Sequence, residues 1–253
     1  MVNIRASRHM RSSGSSREYP AAPKICNALF VVLIAISAAK IFARAAFVAS
    51  GNPSFDFTLY NVKGSDEGGI SFETAPQFSY TIGYYFTKKG FGLEYQYDHI
   101  KYFVRQGQRV HMRGFISGHS LDQDTLLNPA FFQLEHSDGG NYAMVNLVKW
   151  MPIRMRHSFI YPELVIKAGF GVVHPKTNSS ILGYWRDDRY HFAGLVTGLE
   201  SGIRARFGKW FFVYGGFKGV YANYRDFLIA GGHGSQQWLS LQFNYLVGAQ
   251  FPL

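Results

Sequence analysis

The sequence predicts an all-β protein, a closed antiparallel up-and-down barrel of about eight strands, and two observations carry that prediction. After Ala45 no helical period is sustained, whereas apolar and polar residues alternate with period two in segment after segment to the end of the chain. The connections between these segments alternate between short and long, as strands running up and down around a barrel require. Composition agrees. Of 253 residues, 23 are Phe and 16 are Tyr while 17% are charged, which suits one domain rich in strand formers.

Residues 28–39 form an uncharged apolar run, preceded by Lys24 and closed by Lys40 and Ala43-Arg44-Ala45. That is the three-part layout of a secretory signal, with cleavage expected after Ala45. The run is shorter than the roughly 20 apolar residues a spanning helix needs. Residues 1–45 are therefore read as leader and signal, and residues 46–253 as the barrel. Residues 1–23, polar and rich in Ser and Arg, carry no predicted structure. Seven of the 26 bases and one of the 16 acids precede Ala45, which leaves 19 bases, 15 acids and an excess of only +4. The high pI is thus largely a property of the leader, and nucleic acid is excluded as a partner. Cys26, the one cysteine, lies in the leader, so stability must come from packing and closure.

The first strand is expected over Phe55 to Val62. Phe78, Tyr80, Ile82, Tyr84 and Phe86 then oppose Gln77, Ser79, Thr81 and Gly83, so the two faces meet two environments. A tight Lys88-Lys89-Gly90 turn leads to Phe91, Leu93, Tyr95 and Tyr97 against Gly92, Glu94, Gln96 and Asp98, completing a hairpin. Phe131 to Val148 reads as one strand with a bulge at Gly139-Gly140. Leu164, Ile166, Ala168 and Phe170 alternate with Glu163, Val165, Lys167 and Gly169, and Leu195, Leu199 and Ile203 with Gly198, Glu200 and Arg204. After Gly208-Lys209-Trp210 come Val213, Phe217 and Tyr221, and the final strand sets Leu239, Leu241, Phe243, Tyr245 and Val247 against Ser240, Gln242, Asn244 and Gly248. The long links are expected at residues 63–76, 99–130, 173–190 and 223–235, all at the end away from the short turns.

Alternation alone suits a soluble lipocalin-like barrel equally well, so the polar row must decide. It holds many glycines, among them Gly83, Gly92, Gly169, Gly202, Gly216 and Gly248, where a solvated face would carry Lys, Thr and Glu. Glycine weakens a strand unless space is short, as it is inside a narrow barrel. The same row carries Asp56, Glu94, Glu163 and Glu200 against Lys167, Arg204, Arg206 and Lys218, four acids for four bases. A balanced network of that kind would fill the lumen. Tyr84-Tyr85-Phe86, Trp150, Trp210-Phe211-Phe212 and Phe251 gather beside the short turns, as an interfacial girdle does. The apolar row is therefore expected to face lipid, making the barrel a transmembrane one.

Across residues 55–251 these features resemble the small outer-membrane β-barrel proteins of the OmpA and OmpX type, by architecture rather than by an identity-bearing motif. The last strand resembles the C-terminal assembly signal of that class, except that Phe251 is followed by Pro252-Leu253. The resemblance implies a monomer in the bacterial outer membrane, exported through a cleaved signal and inserted by the outer-membrane assembly machinery. Its partners would be outer-membrane lipids and lipopolysaccharide. It also implies a non-enzymatic role for the extracellular loops in envelope integrity, adhesion or surface recognition. Two alternatives stay open, a lipid A-modifying barrel enzyme (acyl hydrolase or acyltransferase) and a small pore.

The search for chemistry is largely negative, and no catalytic residue, cofactor or metal ligand is assigned. The barrel-type lipid A deacylase uses a His-x-Ser-Asn run, and none of His99, His111, His119, His136, His157 or His191 opens one. Adjacent His-Ser pairs at 119–120, 136–137 and 157–158 point to opposite faces of a strand. A looser site would have to gather His99, His111, Ser117, His119 and Asp122, with His136 and Asp138 nearby. The second long link also carries Lys101, Arg105, Arg109 and Arg113 with no acid between Asp98 and Asp122, and reads as a hairpin turning at Gln106-Gly107-Gln108. Such a basic ribbon matches lipopolysaccharide phosphates.

Overall fold

The computed structural model describes residues 29–42, 44–51, 55–65, 77–86, 88–136, 138–155 and 159–252. Among the described residues the fold is all-β and antiparallel, with sixteen strands rather than about eight. Eight of them pair in a ring: β1 (Leu29–Phe42), β4 (Phe78–Phe86), β5 (Phe91–His99), β10 (Gly140–Pro152), β11 (Ile160–Pro175), β14 (Gly194–Phe207), β15 (Phe211–Ile229) and β16 (Gly232–Pro252). β16 pairs in turn with β1, from Leu29↔Pro252 to Phe42↔Leu239, so the path returns on itself. The strand ends at Phe86 and Phe91, Pro152 and Ile160, and Phe207 and Phe211 lie at one end of the ring, together with Pro252.

The additional strands belong to the long links at the other end. β2 (Arg44–Gly51) continues the line of β1 along β16 and pairs with β3 (Phe55–Ser65). β3 meets β7 (Arg109–Ile116), which pairs with β8 (His119–Leu126). β6 (Phe103–Val104) joins β3 to β9 (Phe132–Glu135), and β12 (Asn178–Ile181) and β13 (Tyr184–Asp187) extend that edge.

Several sequence expectations are corrected. The place between β16 and β4, expected for Phe55 to Val62, is taken by Leu29–Phe42, inside the segment read as a signal. An uninterrupted apolar run serves either purpose, so its pattern does not separate them. Residues 131–148 form two strands rather than one bulged strand, because the chain turns at 136–139, where Gly139 has φ 129°. The second long link turns at Ser117-Gly118 rather than at Gln106-Gly107-Gln108. Positive φ values of 50° and 78° there give the primed turn that matches strand twist. The expected long link at residues 223–235 is instead a continuation of β15 and β16, bulged between Tyr224 and Phe227 and closed at Ala230-Gly231.

Alternation resolves into two surfaces. Tyr80, Ile82, Leu93, Tyr95, Leu147, Ile166, Leu199, Phe217, Leu241 and Tyr245 are exposed, while Thr81, Glu94, Gln96, Asn146, Lys167, Glu200, Lys218, Gln242 and Asn244 are buried. The polar row is the inner one. Above it an apolar core joins the long links to the ring. Phe57, Leu59, Tyr102, Met112, Phe132 and Ile181 pack with Tyr142, Val173, Val196, Tyr224 and Trp238. The described parts of the long links thus form a cap that shares one core with the ring.

Candidate functional site

The interior below the cap is layered, and each layer follows from which inward positions are charged, aromatic or glycine. Nearest the short turns is an aromatic floor, where Tyr85 and Trp150 stack at 3.9 Å and 7°. Three residues expected in the outer girdle, Tyr85, Trp150 and Phe212, belong to this inner floor or its edge, because strand parity turns them away from their exposed neighbours Tyr84 and Phe211. Trp210 and Phe251 do lie outside, with ring centroids 5.7 Å apart.

The Arg204 guanidinium covers the floor, 3.6 Å from the Trp150 ring centroid and 4.6 Å from that of Phe212. Its Nε donates to Glu163 Oε2 at 2.7 Å and its Nη2 to Gln250 Oε1 at 2.8 Å. Arg206 Nε lies 3.8 Å from the other Glu163 oxygen. In the next layer Lys167 Nζ meets Glu94 at 2.8 Å and Glu200 at 3.9 Å. Tyr214 lies beside it, in space left by two glycines. A Cβ on Gly216 would fall 2.2 Å from the Tyr214 hydroxyl, and one on Gly202 would fall 2.7 Å from its ring.

The third layer centres on Asp98. Lys218 Nζ donates to Asp98 Oδ2 at 2.5 Å, and Ser79 Oγ and Gln96 Nε2 donate to Oδ1 at 2.6 and 2.9 Å. Asn146 Nδ2 donates to Gln96 Oε1 at 2.8 Å, tying three strands together. Asp98 and Lys218, paired and hydrogen-bonded in this way, meet the condition for burial, whereas Glu200 has the 3.9 Å ion pair with Lys167 and, among the described residues, no hydrogen bond.

Of the eight residues expected in the interior network, Glu94, Glu163, Lys167, Glu200, Arg204, Arg206 and Lys218 are buried in it. Asp56 is not. It is exposed on β3, which lies outside the ring, and Asp98 takes the place of the fourth acid. Asp98 stands in the same polar row as Glu94 and Gln96, so alternation does place it inward, beyond the four acids counted for that row.

The four bases of the expected ribbon are scattered. Lys101 is only 6% exposed, at the base of the cap. Arg105 Nη2 donates to Ser65 Oγ at 3.3 Å, Arg109 is exposed at the start of β7, and Arg113 lies 3.9 Å from Asp122. A bend at Gln106-Gly107 separates Arg105 from the β7 pair, and β6 separates Lys101 from Arg105.

The histidines do not converge on a nucleophile and an acid among the described residues. His99 shares a 2.8 Å hydrogen bond with Asn141, whose Nδ2 donates to the His174 carbonyl at 3.0 Å. His111 has Asp122 at 2.9 Å on Nε2 and Asp124 at 3.1 Å on Nδ1, so neither ring nitrogen is left to act as a base. Ser117 lies in the turn beyond it and His119 at the start of β8, both exposed. Asp138 pairs with Lys176 at 2.5 Å and His191 lies 3.3 Å from Asp188, while His157 lies outside the described residues. His136 is fully buried, 3.0 Å from Thr177 Oγ1 and stacked on Tyr224 at 5.2 Å. Burial, with a smaller effect from His191, pushes its pKa down to about 3. No group of three or more metal-ligating side chains occurs among the described residues.

No family model and no curated protein matches the chain. Among solved structures it is similar, at 10% identity and with a TM-score of 0.46, to the outer membrane protein OprG from Pseudomonas aeruginosa, covering 90% of this chain and 98% of that one. Neisserial surface protein A is similar at 10% identity and a TM-score of 0.37, covering 89% and 99%. Ail, the attachment invasion locus protein of Yersinia pestis, solved with the heparin analogue sucrose octasulfate, is similar at 10% identity and a TM-score of 0.35, also covering 89% and 99%. All three are small outer-membrane β-barrel proteins.

Proposed function

We propose that the protein is an outer-membrane β-barrel without enzymatic activity, its wall the ring of eight strands, its lumen shut and its long links forming an extracellular cap for adhesion or recognition. One observation carries the reading. The buried row is charged and amide-bearing while the exposed row is apolar, the reverse of a protein dissolved in water. The exposed row of β16 runs from Leu239 to Phe251, long enough for the roughly 9–11 residues with which a tilted strand crosses a bilayer.

The layered interior favours a closed barrel over a pore, since ion pairs and stacked rings occupy it from the floor to the cap. The cap favours recognition, because it presents a folded surface in place of flexible loops. Of the basic residues, Arg105, Arg109 and Arg113 are exposed and are the groups to meet lipopolysaccharide phosphates, without Lys101. The test is mobility on a gel with and without boiling, together with membrane fractionation. The folded barrel should run faster unboiled and sediment with outer membranes. Equal mobility and a soluble fraction overturn the reading.

A further inference from the structure

Three strands of the cap form a small sheet with two unlike faces. Pairing places Phe132, Ile181, Leu134 and Ser179 on one side, and all four are buried against the cap core. The other side carries two rows across the strands. Gln133, Ser180 and Trp185 form one, and Glu135, Asn178 and Asp187 the other. Trp185 is 70% exposed, more than the chain's other tryptophans at positions 150, 210 and 238. Tight turning at Leu182-Gly183, with φ values of 52° and 82°, fixes β13 against β12 and holds the indole at this face.

We propose that this face is a binding site for a neutral saccharide. An indole face is electron-rich and flat, so it stacks against the C–H face of a pyranose ring. The Gln133 amide, the Ser180 hydroxyl and the Glu135 and Asp187 carboxylates beside it supply both donors and acceptors, which sugar hydroxyls need, while Asn178 Nδ2 donates to Glu135 Oε1 at 3.4 Å. Neighbouring strands lie about 4.8 Å apart, so Trp185 and Gln133, two strands apart, span about 10 Å, enough for a stacked unit and its neighbour.

The face is poorly suited to other partners. One large apolar side chain among polar ones does not make the apolar centre of a protein interface. Glu135 and Asp187 face outward, and Lys176, 3.3 Å from Asp187, is shared with Asp138, so phosphate or sulfate groups would meet repulsion. Rigid strands also reduce the ordering cost of binding. The proposal rests on the cap being extracellular, as the barrel reading has it.

The test uses the full-length protein purified in detergent, titrated with the tetrasaccharides of β-linked glucose, α-linked glucose and β-linked N-acetylglucosamine. A heparin tetrasaccharide serves as the anionic probe. Intrinsic tryptophan emission and calorimetry should both register at least one neutral tetrasaccharide. Trp185→Ala should weaken its binding at least tenfold and Gln133→Ala several-fold, while Trp210→Ala leaves it unchanged. Each variant should keep its unboiled gel mobility, so loss of binding is not loss of the barrel. The proposal is overturned if no neutral probe binds, if Trp185→Ala binds as well as the parent, or if heparin binds more tightly. It is also overturned if Trp185→Ala changes the protein's sedimentation instead, which would assign the face to a second copy. Failure of the barrel reading shows separately, as equal mobility before and after boiling.

Discussion

The guanidinium carbon of Arg204 sits 3.6 Å from the centroid of the Trp150 ring while its Nε donates to Glu163 at 2.7 Å, so one side chain joins the aromatic floor to the charged interior. Removing it should leave Glu163 buried with Arg206 at 3.8 Å as its remaining cation. Breaking one side of a buried pair costs about 3–5 kcal/mol, more than replacing both sides. Arg204→Ala should therefore lower the urea midpoint of gel-shift unfolding in detergent, and adding Glu163→Gln should restore part of the loss. Equal midpoints for parent and Arg204→Ala would show that the pair contributes nothing.

The glycines beside Tyr214 are expected to resist even one methyl group. Gly216→Ala directs a Cβ into the tyrosine and Gly202→Ala into both the Gly215 carbonyl oxygen, at 2.3 Å, and the tyrosine ring, and crowding a packed interior costs about 1–3 kcal/mol. Tyr214→Phe in the Gly216→Ala background removes the nearest oxygen and should recover stability on the same urea assay. Gly219→Ala, with nothing within 4 Å of its Cβ, is the comparison and should leave the midpoint unchanged.

Acid should loosen the cap before the wall. His136 titrates near 6.5 when unfolded, but burial pushes it down to about 3 in the folded cap. Between those values the unfolded cap binds a proton that the folded cap refuses, so stability present above pH 6.5 falls as pH drops toward 3. Trp238, with its ring 5.9 Å from His136, reports the change by its emission. His136→Phe should flatten the emission profile across this window. An unaltered profile would assign the acid sensitivity to other groups.

Lys167, Lys218 and their acids span the lumen, so the purified protein in a planar bilayer should show no steady conductance steps. Reproducible ohmic steps from the parent protein would establish an open path through these layers.

The segment Leu29–Phe42 has two incompatible fates, and intact mass of protein taken from outer membranes separates them. The eight-strand wall requires Leu29–Phe42 to be retained, whereas cleavage after Ala45 would give a mature chain that begins at Ala46 and lacks β1. The edges of β4 and β16 would then need a new strand, because unpaired backbone in lipid costs several kcal/mol per group. Phe55–Ser65 is the next alternating segment, and to fill that seam it would have to leave β2, β6, β7 and the cap core. A mass that includes residue 29 keeps β1 in the wall.

How much of this was legible depended on the kind of pattern. β4, β5, β11, β14, β15 and β16 could be read because their alternation is clean and tight turns bracket several of them. Seven interior charges followed from the same parity rule. The cap did not, since Tyr102, Met112, Phe132 and Ile181 occur in links whose short strands carry too few residues to show a period. The direction of Trp150 was missed because nearness to a turn says nothing about the face. Trp185 looked like an ordinary link residue until pairing placed it beside Ser180 and Gln133.

The shared core of cap and wall limits where the surface can change over time. In a barrel with loose loops, exposed segments carry few packing constraints and tolerate substitution. Here a change at Tyr102 or Phe132 would disturb Trp238 or Val196 in the wall, so variation is confined to outward positions and turn tips. Ser117-Gly118 is such a tip, exposed at both residues, whereas Leu182 packs against the cap core and ties the Leu182-Gly183 turn to it. A displayed peptide or epitope tag belongs at Ser117-Gly118, leaving Leu182-Gly183 to hold Trp185 in place.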